Sequence, residues 1–407
     1  MSFARALRCR KCGQEYPVQP HSLCDFCLSP LEVTYDYQAI AKVLSREEIA
    51  QGPLSLWRYK ALLPVDGDVV DIGSGFTPLV KADRLGQELG LDELYLKNDC
   101  LNPSYSFKDR PVSVAATKAQ EFGFDTIACA STGNLAASVA AHAAKAKMRA
   151  YVFVPADVEP GKLVGIAIYN PILVTVNGNY DDVNRLCARL VEKYNWGFIN
   201  INLRPYYAEG SKTLGYEVVE QLGWRSPDCV VYPAASGLSF TRVWKGLEEM
   251  AMLGLIEPVN THMYLTQAAG ASPIVNAFQS GSLHVNPVAP DTIVRSIAIG
   301  NPADGAYALK VVRQSGGGAC AVTDEEALAG MKLLAQTEGI FAEAAGGVVI
   351  AGLKRLAASG VIKRHQLTVA FITGAGPRTQ EIVSDIVHPF TVQPTLESFE
   401  AALGIKV

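Results

Sequence analysis

Two groups of residues in this chain have the types and spacing to do chemistry. The first centres on Lys108, in the stretch Asn102-Pro-Ser-Tyr-Ser-Phe-Lys108-Asp-Arg110. Asn102-Pro103-Ser104 reads as a turn, because proline fixes its own φ and restricts the residue before it. The residues from Val112 to Phe122 are helix formers ending at Gly123, so Lys108 sits where a loop enters a helix. A lysine there can bind an anion near the helix N-terminus, act as an amine nucleophile that forms a Schiff base, or simply be solvated. The second group is Cys9-x-x-Cys12-Gly and Cys24-x-x-Cys27, two hooks separated by eleven residues. Four thiolates in two such hooks suit a closed tetrahedral zinc site, and a closed site leaves no position for water or substrate. Zinc there would be structural; four unligated thiols are the plain alternative.

Positioning these groups requires strands and helices in alternation. Glu93–Asn98 alternates apolar and polar residues ahead of the lysine loop. Thr126–Ala130, Ala150–Pro155, Ile172–Val176, Cys229–Pro233, Met263–Thr266 and Leu367–Thr373 are further strand candidates. Between them lie helical stretches at Leu135–Lys147, Asp181–Tyr194 and Phe240–Leu253, and a capping box at Thr323-Asp-Glu-Glu326 opens a helix running to Gly339. Ala39–Gln51 and Leu54–Leu63 also read as helical. The alternation predicts an α/β architecture with largely parallel sheets.

Three strand-to-helix junctions carry small hydrogen-bonding residues. Ser131-Thr-Gly-Asn134 suits a carboxylate or phenolate oxygen at a helix start, and equally a plain N-cap. Ala235-Ser-Gly-Leu-Ser239 offers backbone N–H groups and hydroxyls to a phosphate, without the spacing of a Walker A or dinucleotide-binding loop. Thr373-Gly-Ala-Gly376 has a threonine able to meet a ring nitrogen or to cap its turn.

The 407 residues allow two or three compact units, and 49% apolar with 19% charged residues describe a globular chain. A net charge of −4, from 36 basic and 40 acidic residues, gives no electrostatic case for nucleic acid or membrane surfaces. No apolar run is long enough to span a bilayer, and the N-terminus lacks a signal-peptide core. A cytoplasmic location is expected, with the nine cysteines as thiols or metal ligands.

Together the motifs resemble a known family. Asn102–Arg110 resembles the Asn-Pro-Thr-Gly-Ser-Phe-Lys-Asp-Arg motif of fold-type II pyridoxal-phosphate enzymes. Ser131-Thr-Gly-Asn134, Gly210-Ser-Lys-Thr213, Gln267–Pro273, Ile299–Pro302, Glu338–Phe341 and Thr373–Gly376 follow in the order found in its threonine synthase branch, and the cysteine ribbon is similar to one on some members. The resemblance implies a tryptophan-synthase-β-like fold of two α/β domains. The ribbon would occupy 1–36, the large cofactor-binding domain 37–104 and 214–407, and the small domain 105–213.

It further implies that Lys108 carries pyridoxal 5'-phosphate, that Phe107 packs beside its ring, and that Asn134 donates to its 3-oxygen. Ala235, Ser236, Gly237, Leu238 and Ser239 would bind the cofactor phosphate, and Thr373 would face the pyridine nitrogen. Ser131 and Thr132 would hold the substrate carboxylate, and Arg204 and Lys212 would contact substrate, Arg204 through its phosphate. Cys9, Cys12, Cys24 and Cys27 would hold structural zinc. The implied protein is a homodimeric lyase that converts O-phosphohomoserine and water to L-threonine and phosphate. Rival readings are cysteate synthase (O-phosphoserine plus sulfite), a dehydratase of the same fold, and a non-catalytic ribbon protein. Some positions depart from the family pattern. Ser104-Tyr105 replaces the usual Thr-Gly, Ala235–Ser239 replaces Gly-Asn-Ala-Gly-Asn, Arg204-Pro-Tyr-Tyr207 replaces Asn-Pro-Tyr-Arg, and Ala344-Ala-Gly346 replaces a Pro-Ala-Ser-like stretch.

Overall fold

Short antiparallel pairing opens the chain. The computed structural model describes residues 2–404 except 157, 159 and 179. Strands β1 (Ala4–Cys9), β2 (Glu15–Tyr16) and β3 (Leu31–Tyr35) form a three-stranded sheet in the order β2-β1-β3, with the two cysteine hooks at its turns. The remaining strands are β4 (Leu79–Lys81), β5 (Leu94–Asn98), β6 (Thr126–Ala130), β7 (Arg149–Pro155), β8 (Ile172–Val176), β9 (Gly197–Phe198), β10 (Cys229–Pro233), β11 (His262–Ala268), β12 (Gly318–Val322) and β13 (Thr368–Ile372).

They make two sheets. One runs β12-β11-β10-β13-β5-β4, and all its pairs are parallel except β4 with β5. The other runs β8-β7-β6-β9 and is wholly parallel. The chain leaves the larger sheet after β5, builds the smaller one, and returns at β10. Central strands β6, β10 and β13 are buried at every residue, as expected where helices cover both faces of a parallel sheet. Edge strand β8 is partly exposed.

Helices differ from expectation mainly near the N-terminus. The stretch Ala39–Gln51 forms two short helices, Tyr37–Ile40 and Arg46–Ala50, because the Ser45 side chain accepts from Glu48 N and restarts the helix there. Leu56–Leu62 is a 3-10 helix. The expected capping box is present: Thr323 and Glu326 each accept from the other's backbone, and Gly339 closes the helix Asp324–Glu338 at φ +68°. Helix Ala344–Ala358, in a glycine-rich stretch, packs against it so closely that a Cβ on Gly347 would lie 2.1 Å from Ala327 O. Among the described residues no helix is long and apolar enough to cross a membrane.

Candidate active site

All the junctions singled out above lie at the carboxyl ends of parallel strands: the lysine loop after β5, Ser131–Asn134 after β6, Ala235–Ser239 after β10 and Thr373–Gly376 after β13. In open α/β sheets this is where ligands bind. The lysine loop runs beside the end of β13: Phe107 N donates to Thr373 O at 2.9 Å, Ser106 bridges Gly374, and Ala375 N donates to Tyr105 O at 2.9 Å. Lys108 and Thr373 are thereby held together, although 265 positions separate them in the chain.

Lys108 is the N-cap residue of helix Asp109–Glu121. The next two residues fix it. Asp109 is fully buried and accepts from Ser104 N (2.7 Å), the Ser104 hydroxyl and Ser138 Oγ (2.6 Å). Arg110, also fully buried, pairs with Asp99 at the end of β5 and with Glu217 in helix Thr213–Gln221. Burial alone would raise the Glu217 carboxyl, but Arg110 and Lys97 hold it at about 2. The lysine therefore stands on a rigid buried ion cluster. Its Nζ donates to the Tyr207 hydroxyl at 2.8 Å and lies 4.6 Å from the Phe107 ring centroid. The Tyr207 hydroxyl thus holds the amine in place.

Asn134 opens helix Asn134–Ala146, whose N-cap, Gly133, supplies no side-chain cap. Its first N–H groups, with Ser131 and Thr132 half-buried beside them, are free to meet a carboxylate. The Asn134 amide donates to the Glu343 carboxylate at 3.1 and 3.2 Å. Glu343 was not among the residues anticipated. Its backbone N donates to Gly374 O at 2.9 Å, and its side chain presses on Gly374 so tightly that a Cβ there would meet Oε1 at 2.5 Å. Burial pushes the Glu343 carboxyl above the usual range, against the opposing pull of Asn134, Arg378 and Lys108.

At the fourth junction Gly237 adopts φ +87° and begins helix Leu238–Met252 without a side-chain cap. A Cβ on Gly237 would meet Ala308 Cβ at 2.9 Å, so glycine is needed for space as well as for conformation. The N-terminus of a 15-residue helix, where Leu238 N makes only a long 3.4 Å bond to Ser236 Oγ, offers with the Ser236 and Ser239 hydroxyls a donor set suited to a phosphate. The residues present thus fit pyridoxal phosphate: an amine for its aldehyde, an amide for its ring oxygen, a hydroxyl at the end of β13, and an anion cradle.

Two expected substrate contacts are corrected. Lys212 is fully buried, with Nζ 2.6 Å from Glu209 and 3.0 Å from Glu249, so it cannot meet a substrate. Arg204 pairs with Asp304, which also accepts from Arg10 at 2.7 Å. Asp304 N donates to Ser236 O at 3.0 Å, so Arg204 is committed to an ion pair that braces the phosphate cradle.

Away from the cleft, the ligand atoms of Cys9, Cys12, Cys24 and Cys27 all lie within 4.8 Å of one another, with Cys9–Cys27 at 3.4 Å and Cys12–Cys24 at 3.6 Å. Tetrahedral zinc with Zn–S of about 2.3 Å needs sulfurs roughly 3.8 Å apart, so the donor set and its size fit that ion.

Comparison with known proteins agrees with this geometry. Residues 70–374 match the family model of pyridoxal-phosphate dependent enzymes. The threonine synthase of Methanocaldococcus jannaschii is 39% identical over 373 residues, covering 91% of this chain and 92% of its own. That of Methanosarcina acetivorans is 38% identical over 401 residues, covering 98% of both. In fold the chain is similar to a processed threonine deaminase isoform from Solanum lycopersicum (TM-score 0.63, 20% identity, 77% of this chain and 88% of that one). It is likewise similar to maize serine racemase (TM-score 0.63, 18% identity, 76% and 91%). With a lysine seated where four strand ends converge and relatives matched along nearly its whole length, the chain belongs to the pyridoxal-phosphate dependent enzymes, in the family of the threonine synthases.

Proposed function

We propose that this enzyme converts O-phosphohomoserine and water to L-threonine and phosphate. The observation that supports it most is the placement of Lys108, whose amine is held by Tyr207 within reach of the Asn134 and Thr373 junctions, in a chain closely related to threonine synthases. Bound pyridoxal phosphate supplies the electron sink that makes the substrate Cα proton acidic.

The chain does the rest. Lys108 would hold the cofactor, and its amine would move protons at the substrate Cα and Cβ as phosphate leaves from Cγ and water adds at Cβ. Ser131 and Thr132 orient the substrate carboxylate, and Phe107 packs against the cofactor ring. Asn134, which donates to Glu343 in this structure, would turn an N–H to the cofactor's ring oxygen, and Thr373 would offer the ring nitrogen a neutral hydroxyl. The cradle from Ala235 to Ser239 binds the cofactor phosphate. In this reading residues 105–213 form the small domain and 37–104 with 214–407 the large one.

The four cysteines hold a structural zinc, and their use as thiolates suits a reducing cytoplasm. A homodimer is supported by apolar residues exposed near the C-terminus, among them Ile386, Phe390 and Leu396. Incubating the holoenzyme separately with O-phosphohomoserine, with O-phosphoserine plus sulfite, and with threonine tests the assignment. Phosphate and threonine should appear together from the first. Turnover of only the second would make the enzyme a cysteate synthase.

A further inference from the structure

With Arg204 paired to Asp304 and Lys212 to Glu209 and Glu249, neither expected cation is available to a substrate phosphate. Another arginine lies against the lysine loop. Arg378 ends the turn Gly376–Arg378, directly after the Thr373–Gly376 junction. Its Nη2 donates to Ser104 O at 2.7 Å, so the guanidinium reaches back across the base of the lysine loop, with Cζ 6.0 Å from the Tyr105 ring centroid.

Nothing charged satisfies it. Nε is buried without a hydrogen-bond partner, and so is the hydroxyl of the adjacent Thr379. The titratable groups facing Arg378 are Glu343, Asp109, Tyr169 and Tyr105. Of the two carboxylates, Asp109 is occupied by Ser104 and Ser138, and Glu343 by Asn134. Burial lowers the guanidinium's affinity for its proton despite these neighbours. A half-buried fork with an idle donor, next to an idle hydroxyl and beside the lysine loop, is equipped for a tetrahedral oxyanion.

We propose that Arg378, with the Thr379 hydroxyl, recognises the phosphate group of a phosphorylated amino-acid substrate. This rests on the functional reading above. It is a specificity-determining contact: it places the leaving group and takes no part in proton transfer.

The test uses holoenzyme of wild type, Arg378→Gln, Arg378→Lys and Arg204→Gln. Two readouts are needed: steady-state turnover of O-phosphohomoserine, and the inhibition constant of inorganic phosphate. Arg378→Gln should raise KM and the phosphate inhibition constant together by roughly ten- to a hundredfold, the loss expected for a charge-assisted contact. The protein should remain folded with the bound cofactor's absorbance at its wild-type value, which shows that the site is intact. Arg378→Lys should recover part of the loss, because it keeps the charge and gives up the fork. Wild-type KM and phosphate inhibition in a folded Arg378→Gln holoenzyme would overturn the inference, as would a loss of phosphate affinity found only in Arg204→Gln. If wild type does not turn over O-phosphohomoserine, the functional reading fails. The phosphate inhibition constant, measured against whichever substrate is turned over, still decides whether Arg378 binds the anion.

Discussion

At Tyr105, three residues before the lysine, the main chain takes φ +65°, a left-handed conformation that costs a side-chain-bearing residue about 1–2 kcal/mol. Family members usually place glycine at this point, and the backbone now shows why. Part of that cost returns if glycine is restored, less the entropy glycine adds to the unfolded chain. Tyr105→Gly should raise stability by about 0.5–1 kcal/mol in denaturant unfolding; a loss would mean that the contact of the Tyr105 ring with Arg378 outweighs the backbone term.

Glu343 gives a second residue-scale prediction. It is the acceptor for Asn134, and Glu343→Ala leaves that amide without its partner. A hydrogen bond of about 1 kcal/mol corresponds to a roughly five- to tenfold weaker hold on the cofactor, measured by titrating apoprotein with pyridoxal phosphate. Unchanged affinity would show that Asn134 needs no support. The lysine, the threonine after β13 and the small-residue turns were legible in the sequence because each lies within a short motif. Glu343, Tyr207 and the pairing of Arg204 with Asp304 were not. They depend on distant partners that only the folded chain brings together: Lys108 and Tyr207 are 99 positions apart, Arg204 and Asp304 100, and Asn134 and Glu343 209.

Among the elements, the helix that begins at Lys108 is anchored by ion pairs as well as by apolar packing. Glu217 accepts from Arg110 and lies 2.7 Å from Lys97, with all three side chains fully buried. Its carboxyl is held at about 2 against an ordinary 4.5. Such a depressed acid stabilises the fold fully above pH 4.5, and that stability is lost as pH falls toward 2. Glu217→Gln should therefore cost about 3–5 kcal/mol at neutral pH, the usual result of orphaning buried cations. The gap between variant and wild type should narrow between pH 4.5 and 2 in melting-temperature profiles, and a gap independent of pH would contradict the assigned charge state. Strand positions were well anticipated because buried parallel strands read as short apolar runs. Helix Ala344–Ala358 was missed for a physical reason: Gly346, Gly347 and Gly352 suggest a loop in sequence, whereas the fold uses them to bring helices and strands into contact.

At the scale of the molecule, the ribbon is docked on the catalytic body. Besides its bond to Asp304, Arg10 lies 3.6 Å above the Tyr307 ring, and Tyr35 donates to Glu209 at 2.8 Å. Stripping zinc with a chelator should lower the melting temperature while the cofactor absorbance persists, since no cysteine of the ribbon enters the cleft. Metal analysis should find one zinc per chain; protein purified without chelator and free of zinc would refute the assignment. The strand ends of the two sheets carry the loops that meet at Lys108, and the account stands on that residue. Borohydride reduction of the holoenzyme, followed by proteolysis and peptide mapping, locates the cofactor covalently. A pyridoxyl group on Lys108 alone is the predicted result, and a modified lysine elsewhere, or none, would contradict the account.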